Sequence, residues 1–390
     1  MKKIVFIDET VQIGGAEINL LQMLPLLVQA GWEPVVVLPG KGPIIDKLDT
    51  LGVSYRVVPG GPFYSVSSYA GNHKIPNLFA WFLTFVNGIR WMLALQREIR
   101  KISPRLVQTV SLLAHIFGGW AARRAGYPLV AHVQDIVAQG SGFGIYSRIF
   151  QFWGRHIPSR LVCISPLVAR QFNKDVRISS KTLVIWNMID TKKFSPLELT
   201  REQNKIKIGT VARLARWKGQ SVALQVAAAL HSMKVDFQWD FLGTTALGDE
   251  NYALELQKFI KSEQLEQKVH FLGWVEDTGA FYRNLDILVH LPTEPEPFGL
   301  VIGEALSCGL PVITSHGGLD DIVVEAGGLL VSTDNLYSIT DAILDLVGQS
   351  WGRACSREVA VKYFSQPAIF PKWLELYEEV SACSGHGMNR

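Results

Sequence analysis

Residues 206–231 read IKIGTVARLARWKGQSVALQVAAALH. A β-branched run, Ile206 to Ala212, gives way to a short basic loop, and an alanine-rich helical stretch, Gly219 to His231, follows. A switch from strand to helix period across a glycine marks a βα unit. The rhythm extends in both directions. Upstream, Lys3 to Asp8, Pro34 to Leu38, Val53 to Val58, Arg105 to Val110, Leu129 to Val133, Arg160 to Ile164 and Thr182 to Trp186 read as strands. Helical stretches Ala16 to Ala30, Phe79 to Ile102 and Leu113 to Ala125 lie between them. Downstream, Phe237 to Leu242, Val269 to Leu272, Ile287 to Leu291 and Pro311 to Thr314 are strands, with helices at Tyr252 to Ser262 and Leu300 to Cys308. Strands alternating with helices predict an α/β chain of two Rossmann-like doubly wound domains facing a cleft.

A chain of 390 residues is too long for one core, and the apolar rhythm stops at Asp190 to Asn204, where charge and proline rise. The reading is a domain at 1–189, a linker at 190–204, a second domain at 205–365, a helix at 366–383 and a frayed tail at 384–390. Helical patterns at Trp351 to Tyr363 and Pro367 to Val380 close the chain. A composition 48% hydrophobic and 19% charged excludes disorder, collagen-like repeats and coiled coil. The net charge of +3 conceals two opposite halves: residues 1–189 carry 20 basic and 9 acidic side chains, and the rest carry 18 and 26. The basic excess forms no dense block, which argues against nucleic acid as a partner. Cys163, Cys308, Cys355 and Cys383 have no CxxC spacing, so no disulfide framework or zinc site is expected. The N-terminal residues turn acidic at Asp8 and read as a buried strand rather than a signal peptide, and a cytoplasmic location is expected.

Leu78 to Leu95 is strongly apolar but carries Asn87, Gly88 and Arg90, and a central arginine disfavours spanning a bilayer. Two readings remain: a buried helix, or a helix lying on the cytoplasmic membrane face with Arg90, Arg97, Arg100 and Lys101 toward headgroups.

Four strings carry chemistry. Glu294-Pro-Glu-Pro-Phe-Gly-Leu-Val-Ile-Gly-Glu304 places Glu296 in a loop and Glu304 inside the following helix. A carboxylate there can accept hydrogen bonds from a diol, and the amides of Phe298, Gly299 and Leu300 can hold anionic or hydroxyl groups. Two glutamates at this spacing also occur as solvated surface charges, but the apolar, glycine-rich surroundings are unusual for an exposed face. In the quoted loop, Arg213 and Lys218 sit between strand and helix as two cations able to neutralise a diphosphate, or else as solvated basic residues. Gly14-Gly15 after the first strand allows close backbone approach to a phosphate, or is an ordinary βα turn. His132 lies near the end of the strand Leu129 to Val133 with Asp135 beyond it, and is either an acceptor-orienting group or a satisfied structural histidine. His290 and His316 also lie near strand ends, without a feature that sets them apart.

Taken together and in this order, the strings resemble the retaining glycosyltransferases of family 4, with the GT-B architecture, over nearly the whole chain. The resemblance implies that Glu304 binds the donor ribose, Glu296 with Phe298 and Gly299 the transferred sugar, and Arg213 with Lys218 the diphosphate. It implies Gly15 near the phosphate or sugar, His132 near the reacting centre, and a C-terminal helix around Trp373 to Tyr377 crossing back onto the first domain. Met188 stands where glycine is common and Asp320 where proline is frequent, and Glu294 adds a second carboxylate close to Glu296. The expected activity is sugar transfer from a UDP- or GDP-linked donor to a glycan or lipid-linked acceptor in polysaccharide or glycoconjugate assembly. No Asp-x-Asp motif stands in a suitable place, so neither a divalent metal nor another cofactor is expected. A nucleotide-sugar epimerase and a non-catalytic sugar-nucleotide-binding module are the alternatives; the Arg213 to Lys218 string argues against the first and the intact charged set against the second.

Overall fold

Strands buried on both faces must be apolar at successive positions, and Ile4 to Ile7, Val35 to Leu38 and Ile287 to Val289 are almost inaccessible to solvent. In the computed structural model they belong to two parallel sheets. The structure describes residues 2–61, 63, 67–70, 73–76, 78–137, 145–196, 205–245, 250–348 and 353–383. By its contacts the chain divides into residues 1–186 with 369–390, and residues 187–368.

In the first unit the strands are β1 (Lys2–Ile7), β2 (Trp32–Leu38), β3 (Ser54–Val57), β4 (Ser67–Ala70), β5 (His73–Pro76), β6 (Leu106–Thr109), β7 (Leu129–Val133), β8 (Arg160–Cys163) and β9 (Thr182–Val184). Seven form a sheet in the order β3-β2-β1-β6-β7-β8-β9, every pair parallel, while β4 and β5 make an antiparallel hairpin. In the second unit β10 (Ile206–Val211), β11 (Phe237–Leu242), β12 (Val269–Gly273), β13 (Ile287–His290), β14 (Val312–Thr314) and β15 (Leu329–Leu330) form a sheet in the order β12-β11-β10-β13-β14-β15. Both orders reverse direction once, at β1/β6 and at β10/β13. Doubly wound sheets bind ligands outside the carboxyl ends of the strands at that reversal.

The C-terminal helix, Gln366–Cys383, crosses back onto the first unit. Tyr377 is buried there and donates its hydroxyl to Gln108 Oε1 at 2.7 Å, with Trp32 at a ring distance of 5.9 Å. The expected end of the first domain at 189 shifts slightly: the division falls after Trp186, because the amide of Ile189 bonds to Phe364 O at 2.9 Å within the second unit. Of the expected linker, 197–204 lie outside the described residues, as does the tail 384–390.

The apolar segment after the hairpin is one helix, Leu78–Ile102, with two faces. Ala80, Thr84, Gly88, Trp91, Leu95, Ile99 and Ile102 are buried at helical spacing. Gly88 is required by close packing, since a Cβ there would lie 2.1 Å from the Phe117 ring. The opposite face exposes Phe79, Phe82, Arg90, Leu93, Arg97, Arg100 and Lys101. Among the described residues no helix is long and apolar enough to cross a membrane.

Candidate functional site

In the second unit the two chemical strings leave neighbouring strands at the sheet reversal, β10 leading to Arg213 and Lys218, β13 to Glu296. Backbone geometry locks them together. Gly219 has φ +74°, and a Cβ there would fall 1.7 Å from the Leu291 carbonyl oxygen, so only glycine fits. Two residues earlier, the carbonyl of Trp217 accepts from the amide of Thr293 at 2.8 Å. The short 3₁₀ turn Arg216–Lys218 is thereby pressed against the loop after β13.

The outcome is a buried cluster of three side chains. Lys218 Nζ lies 2.5 Å from Glu296 Oε2, and His290 Nε2 lies 3.2 Å from the same oxygen. Glu296 is 8% exposed. Burial pushes its carboxyl up, but the hydrogen bond and charge of His290, with those of Lys218, outweigh burial and hold it down at about 2. Its main chain is fixed as well: the amide of Gly318 donates to Glu296 O at 2.8 Å, and Glu296 bridges to Gly317. Asp320, at one of the family departures, holds that glycine turn by accepting from the Gly317 amide at 2.6 Å. Glu294, by contrast, is exposed. The structure thus separates the two neighbouring carboxylates, and Glu296 is the one built into a site.

The helix Leu300–Ser307 begins four residues beyond Glu296, with Gly299 at φ +84° as its N-cap. Phe298 is buried and meets Phe364 edge-on at 5.6 Å, which anchors the helix start. The amides of Gly299 and Leu300 donate to no acceptor among the described residues, as expected of a first helical turn. Glu304 lies in the second turn, half-buried, and accepts from the Tyr282 hydroxyl at 2.8 Å. Burial pushes Glu304 up to about 7, against the Tyr282 hydrogen bond and the Lys193 charge that pull it down. Arg213 stands outside this network: its side chain is exposed and makes no ion pair among the described residues, although Gln220 Nε2 holds its carbonyl at 2.9 Å.

The first unit treats its expected residues differently. Gly15 opens the helix Gly15–Gln29 and is exposed, but the preceding amide, that of Gly14, already donates to Glu17 Oε2 at 2.7 Å. Behind Glu17 lies the fully buried Asp8, whose Oδ1 accepts from Ser111 Oγ at 2.7 Å across the β1/β6 reversal. Burial, together with the charge of Glu9, pushes Asp8 up to about 6; burial and the charge of Asp8 push Glu17 up to about 7. Acidic groups therefore surround a turn expected to receive a phosphate.

His132 is corrected more sharply. It is 3% exposed, its ring meets Trp373 of the C-terminal helix edge-on at 4.8 Å, and burial pulls it down to about 3. The strand period turns it to the face that this helix covers, so it is a core histidine, and the exposed residue beyond the strand tip is Asp135. Sequence reasoning placed His290 near a strand end without giving it a role, and missed Tyr282. The available signal for His290 was a lone polar residue closing a wholly apolar strand that leads straight into the Glu296 loop.

Residues 13–193 match the model for Glycosyltransferase Family 4, and residues 192–357 the model for Glycosyl transferases group 1. The chain is a family 4, group 1 glycosyltransferase. Among curated relatives, a GDP-mannose-dependent alpha-mannosyltransferase of Mycobacterium tuberculosis is 26% identical over 95% of this chain and 94% of its own length. A D-inositol 3-phosphate glycosyltransferase of Corynebacterium jeikeium is 33% identical over 46% of this chain and 45% of its own. In fold, the glycosyltransferase superimposes on Anabaena HepE, solved in complex with UDP and glucose, with a TM-score of 0.80 at 22% identity over 97% of this chain and 100% of that one. Sucrose-phosphate synthase from Thermosynechococcus elongatus gives 0.78 at 20% identity, over 98% of this chain and 100% of that one. These likenesses establish the GT-B fold.

Proposed function

We propose that this glycosyltransferase moves a hexosyl group, with retention of configuration, from a UDP- or GDP-linked sugar to a glycan or lipid-linked acceptor in cell-surface polysaccharide or glycoconjugate assembly. The observation that carries the reading is the Lys218–Glu296–His290 cluster beside the open amides of Gly299 and Leu300. Lys218 has three N–H donors, of which Glu296 takes one, and the others suit a diphosphate. As the bond from the anomeric carbon to phosphate oxygen breaks, the electron pair leaves on the diphosphate. Lys218, Arg213 and the helix-start amides disperse that charge. Glu304, held by Tyr282, is placed to accept from the ribose hydroxyls, and the second oxygen of Glu296 to accept from the sugar.

Nucleotide-linked sugars are named for both kinds of neighbour, GDP-mannose for the mycobacterial relative and UDP-glucose for a HepE complex, which supports both nucleotides as donor candidates. With the leaving group served by side-chain cations, turnover needs no divalent ion, and EDTA is expected to leave it unchanged.

The reading includes a second partner, an anionic membrane surface at the cytoplasmic face. The outer stripe of the helix Leu78–Ile102 supports it, with Phe79 72% and Phe82 60% exposed at one end and Arg90, Arg97, Arg100 and Lys101 following. Aromatic rings with a basic run beside them match an interface of acyl chains and anionic headgroups. The test of the main reading is a panel of UDP-, GDP- and ADP-sugars with a lipid extract, read as nucleoside diphosphate released. Release from one donor, lost in Lys218→Ala, is expected, and tight binding of a donor without turnover would refute it.

A further inference from the structure

His290 closes β13 and is 1% exposed. One ring nitrogen, Nε2, faces Glu296 Oε2, and the other, Nδ1, is buried with no partner among the described residues. Glu296 is thus the polar contact that fixes the ring. Because a carboxylate only accepts, Nε2 is the donor. Lys218 and His290 converge on the same oxygen, which leaves Oε1 of Glu296 without a protein donor among the described residues.

The two holds differ in kind. Lys218 is a flexible cation on a loop, 16% exposed at its side chain, and its remaining hydrogens are open to an anion. His290 is a rigid donor sealed at the end of a core strand, out of reach of any anion that Lys218 meets. When a diphosphate draws on Lys218, the His290 hydrogen bond persists and keeps the carboxylate aimed.

We propose that His290 is a positioning residue for donor-sugar specificity, holding one oxygen of Glu296 so that the other is presented to a hydroxyl of the transferred sugar. This deepens, and rests on, the reading of Glu296 as the sugar contact. His290 then governs how the sugar is held and leaves the nucleotide untouched.

The test compares His290→Leu, which removes the donor at similar volume, with His290→Gln, whose amide can restore one. Kinetics with the active nucleotide sugar are set beside calorimetric Kd values for UDP and GDP, and thermal melts confirm folding. His290→Leu is expected to lower kcat/KM by about 10- to 100-fold, the scale of one charge-assisted hydrogen bond, while the nucleoside diphosphate Kd stays within about two-fold. His290→Gln is expected to recover most of the loss. Equal weakening of nucleoside diphosphate and sugar nucleotide, unchanged kcat/KM in His290→Leu, or a folded His290→Gln as impaired as His290→Leu would each overturn the proposal. If the wild-type chain turns over no nucleotide sugar, the underlying reading falls and the proposal with it, an outcome distinct from an active wild type beside an unaffected His290→Leu.

Discussion

Replacing Glu296 by glutamine keeps the shape of the cluster and removes its negative charge. The carboxyl is held at about 2 against an ordinary value of 4.5, in a residue that is 8% exposed. The sign follows from the direction: a depressed carboxyl stabilises the folded state above its unfolded value, and that stability is lost as pH falls toward its folded value. Ionised Glu296 therefore contributes ~3 kcal/mol near pH 6 and ~1 kcal/mol near pH 3. Urea unfolding of wild type and Glu296→Gln, followed by tryptophan fluorescence across this range, isolates the cluster, because titrations remote from Glu296, Lys218 and His290 cancel in the difference. Urea is preferred to guanidinium, whose ions screen the pair. The stability difference is expected to shrink by ~2 kcal/mol from pH 6 to pH 3. A difference independent of pH would refute the claim that Lys218 and His290 hold Glu296 as a buried carboxylate.

Four further outcomes follow from the same structure. Asp8 and Glu17 are raised from 3.8 to about 6 and from 4.5 to about 7, so wild type loses stability as pH climbs from about 4 to about 7; Glu17→Gln is expected to melt like wild type near pH 4 and to be ~2 kcal/mol more stable at pH 8. Glu304 is raised to about 7, and in the proposed ribose-binding role it accepts best when ionised, so nucleotide affinity measured by calorimetry is expected to rise through pH 7. Tyr282→Phe removes a hydrogen bond that pulls Glu304 down and is expected to move that rise to higher pH. Flotation with anionic liposomes is expected to fall with added salt and in an Arg97/Arg100/Lys101 triple alanine variant, and to fall again in Phe79→Ser/Phe82→Ser; flotation unaffected by all of these would remove the membrane partner.

The fold was legible because doubly wound sheets write themselves as short, mainly apolar runs broken by glycine or proline, as in Ile206 to Ala212 ahead of Gly219 or Ile287 to Leu291 ahead of Pro292. The hairpin β4–β5 and the two-residue β15 were not, since SSYA and HKIP carry no apolar run and two residues leave no pattern to read. Within the site, Glu296, Lys218 and the Gly299 helix start were legible as types in a spacing. Which side chains meet was not, because that depends on β10 and β13 lying side by side although 75 residues separate the ends Val211 and Ile287 from contact in sequence. His132 and His290 show the limit most clearly. Both sit at the ends of apolar strands, yet one is turned under Trp373 and the other toward Glu296. A strand's period separates its two faces but does not say which helix covers which face. Gly14-Gly15 likewise reads as a phosphate turn until the Glu17 carboxylate is found on the Gly14 amide.

The central claim is that the Lys218–Glu296 pair serves transfer from a nucleoside-diphosphate sugar. The most direct measurement is donor-dependent release of nucleoside diphosphate by wild type, Lys218→Ala and Glu296→Ala in the presence of acceptor lipid, with melting curves to confirm that each variant is folded. Release by wild type from a UDP- or GDP-sugar is expected, with a loss of at least about 100-fold in both folded variants, the scale of removing one charge-stabilising contact from a transition state. Full activity in either folded variant would contradict it.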